Sequence, residues 1–261
     1  MVRIRAYRYV ENHVESRVFK IVVRFSWVQQ MNTDVLRYTT MWLVLGELPT
    51  LLFTLVDICR PSWGREFRSR DYPTASELVG ACRIYVRDTI LVLLVTSLSM
   101  EALIAADFIP YSLHEISLTE FVLQYLVCSM STEALFYWSH YIVHKNRSLY
   151  RALHANHHSY VGNSFALVNH VLDVPEILIF GLCPAIPCII FGVNIRVMWF
   201  VSVYTNWQGT YGHSGYSSRF LDWLFLTRSI DHDNHHKYPH KNFSGGGYFS
   251  LMDRLFGTYK A

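Results

Sequence analysis

Apolar and polar stretches alternate along this chain with a period too long for a soluble fold. The apolar runs are about Thr39 to Ile58, Thr89 to Phe108, Thr119 to Trp138, Val174 to Val193 and Ile195 to Trp207. Helices of about 20 residues fit the hydrocarbon core of a bilayer. The first run is interrupted by Glu47 and Pro49, so it either spans or re-enters as a broken helix. Pro110 ends the second run, and Pro184 and Pro187 lie inside the fourth. Almost nothing separates the fourth from the fifth, which predicts a helical hairpin. The pattern predicts an all-α integral membrane protein with about four to five transmembrane or re-entrant helices and a helical cap outside the membrane.

The polar segments supply topology. Residues 59–88 carry six arginines with Pro61, Gly64 and Pro73 as breakers, and read as a loop. The links at 109–118 and 192–194 are short and nearly uncharged, which suits the far side of the membrane. Segments 59–88, 139–173 and 208–261 then share the cytosolic side. The first run fits less well, because seven Lys/Arg in residues 1–38 fall on the wrong side if it spans once. No secretory signal peptide is legible at the N-terminus.

Composition agrees with a membrane setting. Hydrophobic residues make up 51% and charged residues 16%, with mean hydropathy +0.17. A net charge of +3 without a dense basic stripe excludes a nucleic-acid partner. The five cysteines form no CxxC pair, and Cys128, Cys183 and Cys188, which lie within apolar runs, read as small buried hydrophobes.

The candidate chemistry lies in three histidine clusters beside the apolar runs: His140 and His144; His154, His157 and His158; His232, His235 and His236. Spacings of three and four place histidines on one helix face. Neutral imidazoles suit iron, zinc or copper and disfavour magnesium and calcium. Eight nitrogens exceed what one tetrahedral zinc needs, so the economical reading is two metals. His170 and His213 lie in the same segments and offer further ligands. Lone histidines such as His13 and His114 read as ordinary residues, and His240 as a surface one. Carboxylates that could orient the imidazoles are Glu133, Asp173, Glu176, Asp222, Asp231 and Asp233. Glu133 precedes His140 by two helical turns. Tyr137, Trp138, Trp199, Tyr204 and Trp207 read as an interfacial aromatic belt.

The order H-x3-H, H-x2-H-H, hydrophobic hairpin, H-x2-H-H resembles the fatty acid hydroxylase superfamily, which includes sterol desaturases and methylsterol monooxygenases. Trp138-Ser139-His140, His213-Ser214-Gly215-Tyr216 and Met252-Asp253-Arg254-Leu255-Phe256-Gly257-Thr258 match its local motifs. Where the family often has H-P-L-E, this chain has His170-Val171-Leu172-Asp173. The resemblance divides the chain into an N-terminal region, 1–84, with one membrane-associated helix, and a hydroxylase-like catalytic domain, 85–261. It implies a mixed-function oxidase of the endoplasmic reticulum with its metal site facing the cytosol. Two iron ions, replaceable by zinc in purified protein, would be held by the eight cluster histidines with His170 and His213. O₂ would be the co-substrate. Electrons would come from NAD(P)H through a separate cytochrome b5 and its reductase. The reaction would be hydroxylation or desaturation of a sterol or other lipid. Fatty-acid or sphingolipid hydroxylation is the nearest alternative. A metal transporter or a non-catalytic lipid-binding protein stands further off, since transporters set their histidines and carboxylates inside the spans.

Overall fold

The computed structural model describes residues 36–69, 71–106, 108–109, 115–160 and 164–261. The N-terminal basic segment, His13 and His114 lie outside these. Among the described residues every regular element is helical, and only two isolated bridges occur, Arg68 with Tyr216 and Thr227 with Gly247. The main helices are α1 (Leu48–Cys59), α2 (Ser62–Phe67), α3 (Ala75–Ala105), α4 (Leu118–Lys145), α5 (Arg147–Leu153), α6 (Val174–Gly181), α7 (Ile186–Phe191), α8 (Ile195–His213), α9 (Arg219–Phe225), α10 (Ser229–Lys237) and α11 (Leu251–Leu255). Residues Trp42–Ala261 form one compact unit.

Among the described residues, three helical segments are long and apolar enough to cross a membrane: Leu36–Cys59, Ala75–Ala105 and Val174–Phe191. The molecule exposes more apolar surface than a soluble protein does. Leu51, Leu52 and Leu55 on α1, Val86, Ile90, Leu94 and Leu98 on α3, and Val122, Leu123, Leu126 and Val127 on α4 are exposed, while histidines, carboxylates and hydroxyls share the interior with apolar residues. Apolar stripes of that extent are stable against lipid and would associate in water. This is an all-α membrane protein. Helices α4 and α8 fall outside the three most apolar segments because each turns a polar face inward.

Proline shapes two of the spans. Pro49 has no N–H to return to the Leu45 carbonyl. That carbonyl instead accepts from Trp207 Nε1–H at 2.8 Å, and the Gly46 carbonyl accepts from Asn206 Nδ2–H at 2.9 Å. The preceding turn, Trp42–Gly46, widens into a π-helix. The fourth apolar run is likewise discontinuous. It begins as α6, passes through a 3₁₀ turn at Cys183–Ala185 and resumes as α7, which Gly192 closes in the left-handed region (φ 65°) before α8.

Two boundaries differ from the sequence expectation. Residues 75–88 belong to α3 rather than to a loop, because Thr74 and Glu77 form a reciprocal capping box that starts the helix well before the apolar stretch. Ser117 and Glu120 start α4 in the same way. The second H-x-x-H-H cluster is not α-helical: His154 caps α5, and His157 and His158 open a 3₁₀ turn.

Candidate metal centre

Helix α4 brings His140 and His144 to its inner end, α8 brings His213, and α10 brings His232, His235 and His236. The turn after α5 adds His154, His157 and His158. All nine are buried. They sort into two groups, His140, His144, His154, His158 and His235 in one and His157, His213, His232 and His236 in the other. Within each group the ligand atoms lie within 4.8 Å of one another. Each H-H pair is divided between the groups, because adjacent residues on a turn of helix point about 100° apart. The two clusters thus serve both centres. Helices α8 and α10 meet closely at Gly212, where an added Cβ would stand 3.3 Å from His232 Cβ.

The ring nitrogens show what the centre needs. Nδ1–H of His140 donates to the Phe243 carbonyl (2.6 Å), that of His157 to Val171 (3.2 Å), that of His213 to Gly209 (2.8 Å) and that of His235 to Lys241 (2.7 Å). His154 Nδ1 stands 2.6 Å from Glu176 Oε1. A carbonyl only accepts, so each ring bonded to one carries its proton on Nδ1 and presents a bare lone pair at Nε2. Yet the Nε2 atoms of two such rings, His157 and His213, face each other at 3.1 Å, and the Nε2 atoms of His140 and His154 (2.8 Å), His158 and His235 (3.2 Å) and His213 and His232 (2.8 Å) crowd as closely. Lone pair against lone pair at that range is repulsive unless a cation lies between. Metal–imidazole bonds of about 2.1 Å at right angles set neighbouring nitrogens about 3.0 Å apart. The donor set fits a transition metal in each group.

Protonation agrees. Burial and neighbouring imidazoles push His154, His158, His232 and His236 well below the usual histidine range. Burial takes His157 and His235 down to about 4. Neutral imidazole is the form that binds metal.

The remaining sequence candidates distribute differently. His170 joins neither group. It is buried against Glu47, with Nε2 3.2 Å from Oε1, between the edges of the Trp42 and Tyr85 rings. The reason is local, since the 3₁₀ turn Ala166–His170 packs toward α1 and α3 rather than toward α10. Glu133 is buried but contacts none of the histidines; its neighbours are Ser244 and Gly247. Asp173 accepts from Asn156 Nδ2–H at 3.4 Å near the surface. Asp231 accepts from Ser250 and Tyr259, and Asp233 from Ser69. Asp222 accepts from Tyr211. Of the carboxylates singled out, Glu176 is the one bonded to a metal-group histidine. His240 is exposed. Tyr137 is no belt residue: it is fully buried, with its hydroxyl 3.0 Å from Thr258 Oγ1 and its ring stacked on Phe256.

Sequence reasoning passed over Asp253. Its carboxylate accepts from the backbone N–H of Phe243 and Ser244 at 2.7 and 2.8 Å and from Thr258 Oγ–H at 2.7 Å. It therefore fixes the loop whose Phe243 carbonyl orients His140. Its place in the D-R-L-F-G-T motif was the available signal. The loop continues through Gly245, Gly246 and Gly247. A Cβ at Gly245 would stand 2.8 Å from His232 Nδ1, and one at Gly247 2.9 Å from Glu133 Oε2, so only glycine lets the backbone pass there.

These features define a membrane-associated helical protein with two buried histidine groups able to hold metal. The fatty acid hydroxylase family profile matches residues 125–258, and the chain belongs to that family. It is 28% identical over 155 residues to cholesterol 25-hydroxylase-like protein 2 of Danio rerio, covering 58% of this chain and 54% of that protein. It is 30% identical over 146 residues to a very-long-chain aldehyde decarbonylase of Oryza sativa subsp. indica, covering 54% of each. It is 30% identical over 130 residues to methylsterol monooxygenase 2-2 of Arabidopsis thaliana, covering 48% of each. The chain thus spans about half the length of these relatives. No solved structure matches it.

Proposed function

We propose that this protein is a membrane-bound two-iron oxygenase that hydroxylates or desaturates a C–H bond of a sterol or other lipid. The observation that carries the reading is the convergence of nine buried imidazoles into two groups, with Nε2 atoms turned toward one another at 2.8–3.2 Å. Bound there, two irons would supply reduction of O₂ and oxidation of an unactivated C–H bond. In a hydroxylation one oxygen atom enters that bond, and the other leaves as water after taking up two electrons and two protons. The electrons would come from NAD(P)H through cytochrome b5 and its reductase. The family membership and the hydroxylase and monooxygenase relatives support this class of chemistry.

The chain's own groups prepare the centre. Backbone carbonyls hold the Nδ1 protons and fix the ring planes, and Glu176 orients His154. Phe136 and Phe180 pack on the membrane side of the five-histidine group, at 5.1 and 5.6 Å from the His140 ring. They keep water from that side and offer an apolar wall to a hydrocarbon. The family resemblance suggests the endoplasmic reticulum, and the charge of the loops suggests that the centre faces the cytosol.

The test is expression with a reductant system, followed by mass spectrometry of sterols and acyl lipids. The expected product is heavier by one oxygen atom or lighter by two hydrogens, and is lost in His157→Ala. Lipids that stay unchanged while metal uptake rises would replace this reading with transport.

A further inference from the structure

Beyond the loop that carries the Phe243 carbonyl lies a second polar cluster, which the metal centre does not use. Ser129, Thr132 and Glu133 share one face of α4, and Ser244 and Tyr248 approach it from the glycine-rich loop. Ser129, Thr132, Glu133 and Ser244 are 1%, 5%, 7% and 4% exposed. Ser129 Oγ, Thr132 Oγ1, Glu133 Oε1, Ser244 Oγ and the Tyr248 hydroxyl make no hydrogen bond of good geometry, although Ser244 stands near Glu133, Tyr248 near Ser129 and Thr132 near Cys128. One orphaned buried polar atom costs about 1–3 kcal/mol, and such atoms are few in a native protein. Five in one place, beside helices whose outer faces meet lipid, mark a site built for a hydrogen-bonding partner. The surrounding hydrocarbon cannot supply that partner.

We propose that this cluster is a binding subsite for the neutral hydroxyl group of a lipid whose hydrocarbon part reaches the metal centre. The inference takes from the proposed function only that a lipid enters beside α4. Three observations define the ligand. Four of the orphaned atoms are hydroxyls, which can donate or accept, so the partner need only offer one donor and one acceptor, as an alcohol does. The charged group acting on Glu133 is a second carboxylate, Asp253, already saturated by backbone N–H groups and Thr258. An anionic headgroup, a fatty-acid carboxylate or a phosphate, would meet repulsion there. The placement also suits one molecule bridging both sites. Glu133, Phe136 and His140 follow one another along the same face of α4, and seven residues of helix advance about 10 Å. A rigid lipid alcohol with its hydroxyl at Glu133 would therefore present a C–H bond about 10 Å away to the five-histidine group, past the Phe136 ring. Gly247 lets the loop backbone approach Glu133 closely, because a Cβ there would stand 2.9 Å from Glu133 Oε2.

The experiment is equilibrium binding of tritiated cholesterol to the full-length, metal-loaded protein in lipid nanodiscs. Unlabelled cholesterol, its analogue lacking the hydroxyl, and stearate serve as competitors. The expected result is saturable binding displaced by cholesterol, with the deoxy analogue and stearate each at least tenfold weaker. Glu133→Leu is expected to lose the tenfold preference for the hydroxyl, and Glu133→Gln, which keeps a neutral hydrogen-bonding group, to retain it. Metal content, measured on each variant, shows whether the fold survives. Equal displacement by the deoxy analogue in the wild-type protein overturns the proposal without recourse to a variant; the cluster then holds only trapped water. Displacement by stearate as effective as by cholesterol overturns the neutral-alcohol assignment, and absence of saturable cholesterol binding overturns the subsite. Hydroxyl-selective binding with no oxidised product would leave the subsite standing and contradict the oxygenase reading instead.

Discussion

The Nδ1–H of His140 donates to the carbonyl of Phe243 at 2.6 Å, which ties the orientation of a buried imidazole to a loop 103 residues further along the chain. The loop in turn hangs on Asp253. Groups that orient metal-binding imidazoles through their outer nitrogen typically change affinity about 10–100-fold when removed. Asp253→Ala is expected to weaken metal retention by about that factor. A chelator titration followed by elemental analysis checks this. Retention equal to wild type would show that the loop holds its place without the carboxylate.

Glu176 makes the direct side-chain contact, 2.6 Å from His154 Nδ1. Glu176→Ala is expected to lower metal affinity about 10–100-fold, and Glu176→Gln, whose amide oxygen still accepts from Nδ1–H, to lose much less. The ordering of the two variants in the same titration is the readout. Equal losses would mean that the charge matters and the acceptor geometry does not.

Acid should act on the metal-free protein first. His157 and His235 sit near 4 when folded, below the roughly 6.5 of an unfolded chain. Below pH 6.5 the unfolded chain therefore takes up protons that the folded one refuses. Stability is then flat above about 6.5 and falls progressively toward 4. The apparent melting temperature of metal-free protein should drop on the order of 10 °C across that window. Metal-loaded protein should hold its value further into acid, because protons must displace the metal before they reach the rings. A melting temperature that rises between pH 7 and 4 would reverse the sign argued here.

His170 separates structure from metal binding. It is packed against Glu47, which also accepts from the Tyr85 hydroxyl at 2.6 Å. His170→Ala leaves a cavity where a fully buried ring packed, which costs about 3 kcal/mol. That corresponds to a melting temperature lower by about 6–12 °C for a chain of this size. Metal content is expected to stay at the wild-type level. Loss of one metal in His170→Ala would return this residue to the ligand set.

Much of this was readable from the chain. Three of the five apolar runs coincide with the helices apolar enough to cross a membrane, and cluster spacing identified eight of the nine converging histidines, with His213 added from its segment. The capping boxes Thr74-Ala75-Ser76-Glu77 and Ser117-Leu118-Thr119-Glu120 were equally legible and would have placed the starts of α3 and α4. Other features were hidden for physical reasons. Division into five and four histidines crosses the sequence clusters, because neighbouring imidazoles leave their turns in different directions. The acceptors at Phe243, Val171, Gly209 and Lys241 are backbone carbonyls, which any residue type supplies. His170 looked like a ligand because its segment is right; only the packing of its 3₁₀ turn shows that its ring faces Glu47.

Metal stoichiometry of the wild-type chain tests the central claim most directly. Protein produced in iron-supplied cells, purified without chelator and analysed by elemental mass spectrometry against quantitative amino-acid analysis, should hold two metal ions per chain. His213→Ala should lower that number toward one, by opening the four-histidine group and leaving the five-histidine group intact. One tightly held metal or none in the wild-type protein would contradict the two-centre account.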